Sequence, residues 1–102
     1  MVLKFDKKGN CLTVAMQGEL DHHCVANVKS QLDRQLEDVK IRELVFDFKN
    51  VSLMDSSGIG VIIGRYKIMD ARQGKVAVKN PSRAIDKIMS MSGIYKIIQK
   101  IG

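Results

Sequence analysis

The sequence predicts an α/β domain with a mixed, mostly parallel sheet, helices packed against it and an N-terminal β-hairpin. Three observations carry this. Apolar residues switch repeatedly between a period of two and a period of three to four along the 102 residues. The order that results is β-β-α-β-α-β-α, in which later strands are joined by helices long enough to cross over between parallel neighbours. One run, Leu44-Val45-Phe46 with Phe48, is apolar without alternation, as suits a central strand covered on both faces.

Each element has its own signal. Leu3 and Phe5 alternate with Lys4 and Asp6; Lys7-Lys8-Gly9-Asn10 supplies turn chemistry; Leu12, Val14 and Met16 alternate again. That is a hairpin. From Cys24 the period changes, and Val25, Val28, Leu32 and Leu36 share one helix face, with Asp21 upstream as a cap. Asn50 to Asp55 reads as a connection. A second helix carries Ile59, Ile62, Ile63, Tyr66 and Met69 on one side and ends at Gly74, where a left-handed C-cap is expected. Val76 and Val78 mark a strand over Lys75–Lys79. Asn80-Pro81-Ser82 starts a third helix with Ile85, Ile88 and Met89, which Ser92-Gly93 breaks. The tail, with Ile94, Ile97, Ile98 and Ile101, fits a helical period, although its Ile-Ile pair also favours a strand.

Composition narrows the function. With 45% hydrophobic and 27% charged residues and one Pro, the chain can offset the entropy of folding as one domain. No apolar run reaches the roughly 18 residues that span a bilayer, so no membrane partner is expected. The start Met1-Val2-Leu3-Lys4-Phe5-Asp6 lacks the features of a secretory signal, and two cysteines are too few for a disulfide scaffold. A cytoplasmic, reduced protein is expected, with Cys11 and Cys24 as small buried hydrophobes. The net charge of +6 is uneven: residues 1–50 hold eight basic and eight acidic groups, residues 51–102 nine basic and three acidic. Such asymmetry marks either a solvated basic face or an anionic partner.

The loops at strand ends hold the candidate chemistry, because strand-to-helix connections gather there. Asp55-Ser56-Ser57-Gly58-Ile59-Gly60 reads in two ways. It is a helix cap, or it is a serine presented for modification at a helix start, where free backbone N–H groups and the helix dipole tolerate a phosphate. Gly58, Gly60 and Gly64 do not form the dinucleotide fingerprint, and no Walker lysine follows; Gly60 and Gly64 share a face suited to close packing on the sheet. A serine hydrolase would need Gly two residues before its nucleophile, where Met54 and Asp55 stand instead. His22, His23 and Cys24 are adjacent and diverge, with no second ligand pair at metal spacing, so a loop or helix-start role is expected and no metal. The basic residues of the second half are scattered, with 5% aromatic content, so direct nucleic-acid binding is a weak alternative.

Two tracts then carry a resemblance. Gly18-Glu19-Leu20-Asp21-His22-His23 and Met54-Asp55-Ser56-Ser57-Gly58-Ile59-Gly60-Val61-Ile62-Ile63-Gly64-Arg65-Tyr66-Lys67, with Met91-Ser92-Gly93-Ile94-Tyr95-Lys96-Ile97-Ile98 downstream, resemble the anti-sigma factor antagonists of the STAS domain family. The likeness covers nearly the whole chain and is strongest to the sporulation, anti-sigma-F branch. It implies a single STAS domain over 1–102 and a switch protein that is not an enzyme. The unphosphorylated form would bind an anti-sigma factor that is also a serine kinase, releasing a sigma factor. That kinase would phosphorylate Ser56, with Ser57 the second choice, and a PP2C-type phosphatase would reset it. ATP would come through the kinase, so no cofactor is expected. The resemblance maps partner binding onto Glu19, Asp21, Asp55, Ser56, Ser57, Gly58, Gly60 and Arg65. It also makes Lys96–Gln99 a strand, and family members usually continue into a C-terminal helix that this chain does not reach. An antagonist in a stress-type sigma pathway is the nearest alternative.

Overall fold

The computed structural model describes all residues, Met1–Gly102. Strands β1 (Val2–Lys8), β2 (Cys11–Leu20), β3 (Glu43–Met54), β4 (Lys75–Lys79) and β5 (Gln99–Lys100) lie side by side in sequence order. Only β1–β2 is antiparallel; every later pair is parallel. Helices α1 (Val25–Gln35), α2 (Ser56–Ala71) and α3 (Arg83–Ser92) form the crossovers. The hairpin closes as expected, with Lys8 opposite Cys11 across Gly9-Asn10. Strand β4 and the start of α3 also fall where the pattern puts them. Ser82 caps α3 through its hydroxyl, which accepts from the Ile85 N–H at 3.2 Å.

Strands added in order through same-handed crossovers place their helices on one face, and the core agrees. Leu12, Val14, Met16, Leu44, Phe46, Phe48, Val76 and Val78 point into a single cluster with residues of all three helices. Val45 and Ala77 are buried but lie outside that cluster, on the opposite face. The expectation that β3 is covered on both faces is therefore corrected. Helices cover one side only, and on the other, small and polar residues flank Val45.

Other differences have local causes. The tract 50–54 is strand rather than connection, because β3 continues beside β2 to Met54. Two irregularities in register, between Ala15 and Gln17 and between Gly18 and Glu19, let the longer β3 stay paired. Asp21 does not cap α1. The N-cap is Cys24, and the Asp21 carboxylate instead accepts the His23 N–H at 3.0 Å in the turn before the helix. Both cysteines are half-buried rather than buried, and burial pushes the Cys11 thiol above its usual range. The tail forms a 3-10 turn at Ile94–Lys96, so the strand expected over Lys96–Gln99 begins at Gln99. Ile94 and Ile98 fill the core from that turn, which satisfies the helical spacing without a helix.

Gly74 is not a left-handed cap. Gln73 takes the positive φ of 59°, and Gly74 is required for space: a Cβ there would lie 2.6 Å from the Arg42 carbonyl oxygen and 2.8 Å from Met69 Cε. Two arginines bind this end of the sheet. Arg72 donates to the carbonyls of Leu36 at 2.8 Å and Asp38 at 3.2 Å, while Arg42 donates to the Arg72 carbonyl at 2.7 Å.

The tail is tied down by Asp86, which accepts the Tyr95 hydroxyl at 2.6 Å and lies 3.1 Å from Lys100 Nζ. The hydrogen bond from Tyr95 and then that from Lys100 hold the Asp86 carboxyl below its ordinary value of 3.8. A carboxyl depressed in the folded state stabilises it fully above the unfolded pKa, and this contribution fades as pH falls through the folded value. Acidification below about pH 4 is therefore expected to loosen the tail before the core melts. Amide shifts of Ile97 and Gln99 followed by NMR would report it, and Asp86→Asn should abolish that titration.

Candidate functional site

The site is assembled by parallel pairing. Leu20 at the end of β2 lies opposite Met54 at the end of β3, so the next residues, Asp21 and Asp55, open two loops side by side. The Asp55 N–H donates to the Leu20 carbonyl at 3.3 Å, joining them. Asp55 is the N-cap of α2: one carboxylate oxygen accepts the Ser57 N–H at 2.8 Å. The other accepts the His22 N–H at 3.2 Å and lies 3.5 Å from His22 Nδ1. Partial burial pushes the Asp55 carboxyl up, but hydrogen bonds from Ser57, His22 and Gly58 outweigh it and hold the group below its usual value. A charged carboxylate at neutral pH thus sits beside Ser56.

Ser56 is the first residue of α2 and is exposed. Ser57 is half-buried, with its N–H engaged by the cap. At the N-terminus of a 16-residue helix, a group on Ser56 Oγ would sit at the positive end of the dipole, beside a cap in which Asp55 already accepts the Ser57 and Gly58 N–H groups. Gly58 is buried beneath the turn, where an added Cβ would overlap Met54 Cγ and come 3.1 Å from Leu20 Cδ2. This glycine lets α2 start hard against both strand ends.

Other candidates fall differently. Glu19 and Asp21 flank the site on the β2 side, Glu19 paired in register with Leu53. Gly60 is exposed, and neither it nor Gly64 has an atom within 4 Å of where a Cβ would stand. The close packing expected of those two glycines belongs to Gly58. Arg65, mapped to the docking surface, is 8% exposed and buried where α1 meets α2, with Nε 3.1 Å from Asp33 Oδ1. Its Nε and Nη1 are otherwise buried without hydrogen bonds, so Arg65 is a structural cation. Removing only its counter-charge is costly, whereas an apolar replacement of similar volume is not. Asp33→Ala is expected to lower stability by ~1–3 kcal/mol and Arg65→Met by less, as chemical denaturation would measure.

Two features of the site were missed from sequence. His22 links the loops through Asp55, and its ring lies against that of His23, tilted by 38° with 3.9 Å between centroids. Leu53 is 50% exposed beside the loops, an apolar residue among polar ones. Alternation along β3 could not reveal it, because the register irregularity turns it outward.

A family model for the STAS domain matches residues 3–102. The chain belongs to the STAS domain family. An anti-sigma F factor antagonist of Paenibacillus polymyxa is 39% identical over 87 residues, which is 85% of this chain and 74% of that protein. The solved structure of the anti-sigma factor antagonist SpoIIAA in its unphosphorylated form superposes with a TM-score of 0.86 at 24% identity, covering 99% of this chain and 89% of the other. The Bacillus cell fate determinant SpoIIAA in its phosphorylated form gives a TM-score of 0.77 at 24% identity, over 99% and 92%. This STAS domain therefore shares the fold of proteins known in both states.

Proposed function

We propose that this STAS domain is an anti-sigma factor antagonist that is switched by phosphorylation of Ser56. The observation that carries the reading is the exposed Ser56 at the N-terminus of α2, held beside the charged Asp55 at the junction of two loops. Its likeness to an anti-sigma F factor antagonist supports the choice of partner.

In this mechanism the unmodified face, with Glu19, Asp21, Asp55, Ser56 and Gly60, docks on an anti-sigma factor that is also a serine kinase, and so frees a sigma factor in a sporulation programme. The kinase brings ATP and transfers its γ-phosphoryl group to the Ser56 hydroxyl. A PP2C-type phosphatase reverses the step. Phosphoserine adds about −1.5 to −2 charge. The helix N-terminus accommodates it within the protein, while Asp55 makes the combined charge repulsive to a closely packed partner. The switch then requires no refolding. Ser57 is the second choice, being half-buried and engaged through its backbone in the cap.

The test is capture. Unmodified protein should hold an anti-sigma-F kinase on a column and displace sigma factor from it, and protein phosphorylated by that kinase should elute. Retention on DNA with steep salt dependence, and none on the kinase, would overturn the reading.

A further inference from the structure

We propose that a groove at the far end of α2 is a second docking surface, for an acidic protein segment with large apolar anchors. The inference stands independently of the reading of Ser56. The groove lies between the C-terminal half of α2, the start of β4 and the segment 95–100, with a volume of about 650 Å³. It forms because β5 begins late. β4 pairs along its whole length with β3, but with β5 only at Ala77 and Val78, which leaves the edge unpaired at the exposed Lys75 and the buried Val76.

Its lining sets the chemistry of the occupant. Tyr66 and Tyr95 provide aromatic walls, and Ile97, 42% exposed, adds an apolar lip. Tyrosines are the side chains on which interface energy concentrates. Tyr95 is already positioned by its 2.6 Å hydrogen bond to Asp86, so little ordering is lost on binding. Lys75, Lys96 and Lys100 line the same groove; Lys100 is paired with Asp86, which leaves Lys75 and Lys96 against one lining carboxylate, Asp70. The half of the chain that builds it has nine basic and three acidic residues. Of those three, Asp55 is at the opposite end of α2, and Asp86 offsets the charge of Lys100, with which it pairs at 3.1 Å. The local field is positive, and an acidic segment complements it. The groove is an open trough rather than an enclosed chamber, which suits a chain segment better than a small ligand, since small-molecule sites cover most of what they bind.

Distance gives the surface its use. Tyr66 and Asp70 follow Ser56 by ten and fourteen residues on one helix, or roughly 15 and 21 Å at 1.5 Å per residue. An occupant there leaves the serine open, so a second protein can be held in either state of the switch.

The test is an NMR titration of the full chain with a synthetic peptide of alternating Glu and Phe-Leu pairs, alongside one version with Lys for Glu and one with Ser for the apolar pairs. The acidic apolar peptide should move the amides of Tyr66, Val76, Tyr95 and Ile97. Lys75→Glu with Lys96→Glu, two exposed changes that leave the core intact, should weaken it at least about tenfold. Absence of binding at millimolar peptide, equal binding of the Lys version, or shifts confined to the Ser56 end would overturn the proposal. So would a dimer in sedimentation that the double charge reversal dissolves, because the groove would then hold a second copy of this chain.

Discussion

Ser56→Asp is expected to weaken capture of the anti-sigma kinase by at least about 100-fold, or ~2.8 kcal/mol at 1.4 kcal/mol per tenfold, with almost no change in folding stability. The two halves of this expectation come from one geometry. Ser56 is exposed at the first position of α2, so an added carboxylate faces solvent in the free protein and sits at the favourable end of the helix dipole. In a complex the same carboxylate is pressed against the partner with Asp55 beside it, and an unpaired charge in a closed interface costs several kcal/mol. Ser56→Ala removes only a hydroxyl and should bind the kinase about as well as the unmodified protein while resisting inactivation by ATP. Calorimetric titration and a thermal melt measure the two quantities separately. Equal affinity for Ser56→Asp would remove repulsion as the mechanism.

Gly74→Ala is expected to be the most damaging small change, costing about 3 kcal/mol, the upper end for overpacking. Its Cβ would stand 2.6 Å from the Arg42 carbonyl oxygen. That oxygen is backbone, and it is fixed by the Lys75 N–H at 2.8 Å, so it cannot move aside without breaking the pairing at the start of β4. For a domain of this size a loss of 3 kcal/mol lowers Tm by roughly 12–24 °C. Gly60→Ala is the opposite case. No atom lies within 4 Å of its Cβ position, and the residue is in the helix interior. It should stabilise by up to about 1 kcal/mol through helix propensity, yet weaken partner capture if the α2 face docks closely. Circular dichroism melts of the two variants should therefore shift in opposite directions.

The architecture was legible in the sequence because alternation and helical spacing are direct images of which face is buried. The hairpin, β4, the Ser82 cap and the stripe Val28-Leu32-Leu36 needed nothing else. Glycines were less legible. Spacing alone could not say which of Gly58, Gly60 and Gly64 faces the sheet, because that depends on how α2 is rotated about its axis, and the strand ends fix the rotation. Arg65 was placed with its motif neighbours, yet its partner Asp33 lies on another helix, a contact that no local pattern contains. The connection before α2 is shorter than its sequence suggests for the same reason. Residues 50–54 look like a connection until parallel pairing with β2 supplies their hydrogen bonds. The pairing of Asp21 and Asp55 across adjacent strand ends followed from parallel topology; the bridging role of His22 did not, since it depends on one carboxylate oxygen left over from the cap.

The most direct measurement is to incubate the protein with its anti-sigma kinase and ATP and to map the modification by mass spectrometry. A single phosphate on Ser56, absent in Ser56→Ala and removed by a PP2C-type phosphatase, is the predicted result. Phosphate on Ser57, or incorporation that persists in Ser56→Ala, would contradict it.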